Sequence, residues 1–193
     1  MKKIILCEGK QDMTFYKELF SKLKLKTKTY TIFDANNCKS NKYKAEETKA
    51  IRNLGHTSKN ILIKAEKGGN LVKVYPYLIS LIDDDIKTIL SIDLDIKNTR
   101  EKFMVYLRKN FTSKNITLTC SNIKEKTNLI SWDILIKHNK TYLGNTSVIA
   151  FNSSLEKVAG IKRYPEGAVK IRNKSAKLLK EKEIFESFKN ILN

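Results

Sequence analysis

The chain has 193 residues, 41% of them apolar, enough for one folded domain with a full core and a small extension. The longest apolar stretch, 71–82, is broken by Lys73, Pro76 and Ser80, and the run after Met1 ends too early for a signal peptide, so the expectation is a cytoplasmic protein with no membrane partner. Lys and Arg outnumber Asp and Glu by 38 to 20; this net charge of +18 makes nucleic acid, DNA or RNA, the expected partner, the bland alternative being a Lys-rich background composition.

Three unevenly spaced cysteines, Cys7, Cys38 and Cys120, exclude a disulfide framework, and with only the isolated His56 and His138 they exclude a zinc knuckle. In chain order, residues 3–7 read as a short buried strand. Residues 11–23 read as a helix with Phe15, Leu19 and Leu23 on one side, and Asp12 is placed to cap it. The alternation in "KLKLKTKTYTIF" predicts a strand over 26–33, its lysines guarding a sheet edge. A short helix is expected over 45–54 and a strand over 60–66. Asn70 then caps a helix carrying Leu71, Val74, Tyr75 and Leu78, which Pro76 should bend or whose true start it should mark.

A strand over 87–95, a helix over 99–110 and a strand over 115–120 complete an α/β pattern, a mainly parallel sheet flanked by helices over 1–125. Residues 126–193 read as an extension packed on the same domain: a β-rich segment with turns at 138–140 and 144–145, a basic stretch and a helical tail over 176–192.

In open α/β sheets, sites form outside the carboxyl ends of strands. The acidic residues there are Glu8, Asp34, Glu66, and Asp93 with Asp95, two apart and therefore facing the same way on an extended backbone. If the strands of Glu8 and Asp93 are neighbours, three carboxylates converge, and such a set calls for a hard cation such as Mg²⁺. Acidic strand ends also serve as caps and turns, which is the competing explanation. Asp83, Asp84 and Asp85 read as a solvated turn, and Glu156 is an extra candidate for the same crevice.

"CEGKQD" (7–12) and "IDLDIKNTREK" (92–102) resemble, in order and spacing, the Glu-Gly and Asp-x-Asp strand ends of the Toprim domain. That domain is shared by topoisomerases, bacterial-type primases, 5S ribosomal RNA maturases and the overcoming-lysogenization-defect nucleases. "KGGN" (67–70) resembles the last branch most. The resemblance implies a Toprim-like, Rossmann-like fold and Mg²⁺- or Mn²⁺-dependent phosphodiester chemistry. Glu8 would serve as general acid/base or metal ligand, and Asp93 and Asp95 would hold the metal. Gly9 would let the chain turn closely past a phosphate. Two readings of Asp12 stand: helix cap and second-metal ligand.

The basic stretch 162–182 supplies Lys162, Arg163, Lys170 and Arg172, with Tyr164 able to stack on a base; its bland alternative is a solvated helix face. Lys162 is the candidate to stabilise leaving-group charge. With these, Gly9, Lys10, Lys67, Gly68, Gly69 and Arg100 are the expected nucleic-acid contacts. The departures are informative. Ile96-Lys97-Asn98-Thr99 follows the Asp-x-Asp where topoisomerases carry Arg-Glu-Gly-Glu, and neither a Walker A motif nor room for the further domains of a primase is seen. Two functions compete: a small nuclease or nucleic-acid processing enzyme, and a non-catalytic binding or regulatory module whose partner protein supplies ATPase or targeting function. A phosphoacceptor receiver domain fails because the third strand ends on Glu66 and leaves the basic charge without a role.

Overall fold

The computed structural model describes residues 1–34, 41–56, 58–66, 70–82, 85–94, 99–162 and 167–192. Apolar runs too short for helices but buried on both sides become the parallel strands. β1 (Lys2–Cys7), β3 (Ile61–Ala65) and β4 (Ile86–Asp93) are buried almost throughout. With β2 (Tyr30–Asp34), β5 (Ile116–Glu125), β6 (Leu129–His138) and β7 (Thr141–Phe151) they form one sheet in the order β2-β3-β1-β4-β7-β6-β5. β2, β3, β1, β4 and β7 run parallel, while β6 is antiparallel to both β7 and β5. The protein is thus an α/β protein with a mostly parallel mixed sheet, consistent with a Rossmann-like fold.

Strand alternation divides the core in two. Ile4, Leu6, Leu62, Leu90, Trp132 and Val148 face α2 (Asn41–Arg52), α3 (Asn70–Ile79) and α4 (Arg100–Lys109). Ile5, Cys7, Ile63, Ile89 and Ile149 face α1 (Lys10–Lys22), α5 (Leu155–Ala159), α6 (Ala168–Leu178) and α7 (Lys182–Leu192). Phe15, Tyr16, Phe151 and Phe188 lock α1 and α7 to this second face through edge-on and tilted ring contacts. Among the described residues no helix is long and apolar enough to cross a membrane.

Several expectations shift. The lysine alternation does not start a strand: Thr27–Thr29 is a 3-10 turn and β2 begins at Tyr30, so Lys24, Lys26 and Lys28 are exposed ahead of the edge strand. Pro76 lies inside α3, where Leu71, Val72, Tyr75 and Leu78 hold the short helix in the core. The turn at 138–140 is present: Asn139 and Lys140 both take positive φ (49° and 70°), the backbone of a tight hairpin between β6 and β7. No turn forms at 144–145. β7 continues through it, and the register shift beside Gly144 is absorbed as an irregularity against Ile136 and Lys137. The tail is not one helix, since α6 ends at Leu178 and α7 begins at Lys182. The 126–193 segment contributes directly to the sheet. Its strands β6 and β7 are part of it, with β7 paired directly to β4.

Candidate functional site

β1 and β4 are hydrogen-bonded neighbours with Leu6 opposite Leu90, so Glu8 and Asp93 emerge side by side at the same edge of the sheet. β1 ends where it does because Glu8, half-buried, follows five buried residues and cannot continue into the core. The Glu66 amide donates to the Cys7 carbonyl at 2.8 Å, holding the last rung before Glu8. Behind that rung, Lys64 is ion-paired to both Glu66 and Glu47 of α2, and all three are buried. Glu66, an acidic strand end in the sequence, is therefore a partner of Lys64.

The chain passes from strand to helix through Gly9, which is the N-cap of α1. Its φ of −172° is extended backbone open to any residue, and an added Cβ would meet only the Asp12 Oδ2 at 3.9 Å. The backbone of the turn does not itself require glycine; what glycine leaves is space beside the Asp12 carboxylate. Asp12 is not the N-cap either. It stands in the first turn and accepts a hydrogen bond from the Gly9 amide, the reach-back half of a capping box.

Asp12 is buried, and its carboxyl is held well above the ordinary carboxylate range. Burial is the main cause, followed by the negative charges of Asp93, Glu8 and Glu156, with the Gly9 hydrogen bond opposing them. Four carboxylates from three stretches of chain therefore share one electrostatic neighbourhood. Asp93 ends β4 opposite Phe151 of β7, and its Oδ1 accepts the Leu155 amide at 2.9 Å. That bond anchors α5 to β4. Ser154 caps α5 by accepting from the Lys157 amide, and Glu156 sits in its first turn. Glu156 was legible only as an acid after a strand; the pairing of β7 with β4 brings it to the others.

The remaining expected residues separate into groups. Asp95, Lys67, Gly68, Gly69 and Arg163 lie outside the described residues, as do Cys38, Asp83, Asp84 and Tyr164. Lys10 opens α1 and is exposed. Arg100 opens α4 and pairs with Glu101 at 2.7 Å and Glu125 at 3.6 Å. Arg172 pairs with Glu18 at 2.6 Å, fastening α6 to α1. Lys162 and Lys170 are exposed. Cys7 is core, as strand alternation required. Among the described residues no three His, Cys, Asp or Glu side chains stand close enough to hold a metal ion as they are placed. Comparison with protein-family models, with curated proteins and with solved structures returned no match for this chain.

Proposed function

We propose that this protein is a Toprim-type, divalent-metal-dependent nuclease or nucleic-acid processing enzyme that cleaves phosphodiester bonds at the carboxyl edge of β1 and β4. The observation that carries the reading is the coupling of Asp12 to Asp93, Glu8 and Glu156. Like charges gathered in a partly buried crevice cost stability, and a cation that joins them removes that cost. The donor set is carboxylate oxygen throughout, which suits Mg²⁺ or Mn²⁺ and not a soft metal.

Asp93 and Asp95 would hold the ion, with Asp12 as a further ligand. When bound, the ion supplies charge neutralisation at the phosphate and a water of lowered pKa. The chain's own residues do the rest. The Leu155 amide fixes the orientation of the Asp93 carboxylate. Glu8, half-buried at the mouth of the crevice, moves the proton of the attacking or departing oxygen. Lys162 balances leaving-group charge, and the excess of 18 positive charges draws the polyanion in.

A second reading is favoured by one observation. The described carboxylates are coupled, yet no three converge tightly enough to hold a metal. On that reading the protein is a binding or regulatory module, and a partner protein supplies ATPase or targeting function. The test incubates the protein with single- and double-stranded DNA and RNA in Mg²⁺ or Mn²⁺, beside an Asp93→Ala/Asp95→Ala variant. The enzyme reading expects metal-dependent cleavage that falls at least about 100-fold in the variant. Equal cleavage by both proteins, or none with any substrate, overturns it; binding without cleavage leaves the second reading.

A further inference from the structure

Among the described residues no helix lies beyond α7 on the second face of the sheet. On β5 the outward positions Thr117, Thr119, Ser121 and Lys124 are exposed, while Ile116, Leu118 and Cys120 pack against the opposite core. Between this bare strip and α7 runs a groove of about 430 Å³. A polar, solvated face is the ordinary state of an antiparallel edge. Three features set this one apart.

The first is charge. Lys87, Lys124 and Lys126 line the groove, and the acid in its lining, Asp133, accepts hydrogen bonds from Asn122 and Ser147 at 2.8 Å each. The second is the placing of Lys87 directly opposite Lys3 on β1, two like charges on adjacent strands, with the Lys87 ammonium donating to the Ile191 carbonyl at the end of α7 at 3.1 Å. Burial, and then Lys87, hold the Lys3 amine below its ordinary range. The third is continuity with the carboxylates. Asp93, Phe151 and Leu129 lie in one row across β4, β7 and β6, and Leu129 lines the groove. Two strand spacings put Leu129, buried in the groove floor, about 10 Å from Asp93. Asn152, the residue after Phe151, clamps the Lys126 and Thr127 carbonyls at 2.9 and 3.1 Å and so fixes the basic turn at this edge.

We infer that this groove is the path of a single nucleic-acid strand running to the carboxylate edge, with Lys124 and Lys126 at the end nearer Asp93 and Lys87, six residues back on β4 and so about 20 Å from Asp93, at the far end. The inference rests on the nucleic-acid reading above and names where the strand lies. Its volume suits one or two nucleotides' bulk at a time, so the expected occupant is a single strand and not a duplex.

The test measures anisotropy of fluorescein-labelled 12-nucleotide single-stranded DNA and RNA, and of a 12-base-pair duplex, in EDTA at 50 and 200 mM salt. Lys124→Glu/Lys126→Glu should weaken single-strand binding by about tenfold or more and lower the salt slope by about 1.4, two phosphate contacts at about 0.7 each. Lys26→Glu/Lys28→Glu, with the same change of net charge ahead of the opposite edge strand, should change affinity by less than about threefold. Lys124→Gln/Lys126→Gln, with a smaller loss in the same direction, covers any disturbance of the turn by the glutamates. Equal losses in both charge-reversal variants, unchanged affinity in the groove variants, or duplex binding equally damaged would overturn the assignment. With no metal present, the result is separate from catalysis: groove-dependent binding by a protein that cleaves nothing keeps this inference and removes the nuclease reading alone.

Discussion

Replacing Lys64 by Met removes the cation between two buried carboxylates. Lys64, Glu47 and Glu66 are 8%, 6% and 7% exposed, so solvent screens little of what remains. Taking one partner from a buried ion pair costs roughly 3–5 kcal/mol, most of it the penalty of the stranded charge. For a chain of this size each kcal/mol lowers Tm by about 2–4 °C, which gives a fall of about 6–20 °C. The pH dependence has a definite sign. In the wild type burial alone would lower the Lys64 amine, but Glu47 and Glu66 outweigh it and raise it, so its stabilisation is present below the ordinary lysine value and is lost as pH rises through the raised one. In Lys64→Met the stranded carboxyls bind protons more readily folded than unfolded. The deficit is therefore largest at neutral pH and shrinks as pH falls towards the ordinary carboxylate range of about 4.

Circular-dichroism melts at pH 7 and pH 4.5 would measure both effects. A Lys64→Met/Glu47→Gln/Glu66→Gln variant should recover most of the loss, because it leaves no charge stranded. A single variant within about 1 kcal/mol of wild type at pH 7, or an equal deficit at pH 4.5, would refute the reasoning. The outcome bears on the site as well, since Glu66 holds the rung that precedes Glu8.

Two further outcomes follow from the geometry. Asp12→Asn in metal-free buffer should raise Tm at pH 7: the wild-type carboxyl is held above its ordinary range, so the wild type loses stability as pH rises from the unfolded value through the raised one, whereas the amide does not titrate. The gain should vanish below the ordinary carboxylate range, and an unchanged or lower Tm at pH 7 would contradict it. Lys140→Gly should stabilise by about 1 kcal/mol in urea titration, because Lys140 holds φ at 70° and Asn-Gly suits such a hairpin turn; a loss of stability would count against that turn geometry.

The elements were legible because each depends on near neighbours. The helix expected over 99–110 is α4, whose end residues Thr99 and Asn110 are its N-cap and C-cap. The misreadings share a cause: lysine alternation at 22–28, the glycine at 144 and the tail across 179–181 are local patterns that pairing and packing overruled.

Sequence alone determined the α/β class, the burial of β1, β3 and β4, and the presence of acids at strand ends, since all three follow from periodicities of two and 3.6 and from the cost of burying charge. Which acids meet was decided by sheet order. β4 beside β1 joins Glu8 to Asp93; β7 beside β4 adds Glu156; and Lys64, two residues back from Glu66, withdraws that acid into an ion pair. Strand order depends on contacts between segments far apart in the chain, which leave no local signal at either partner.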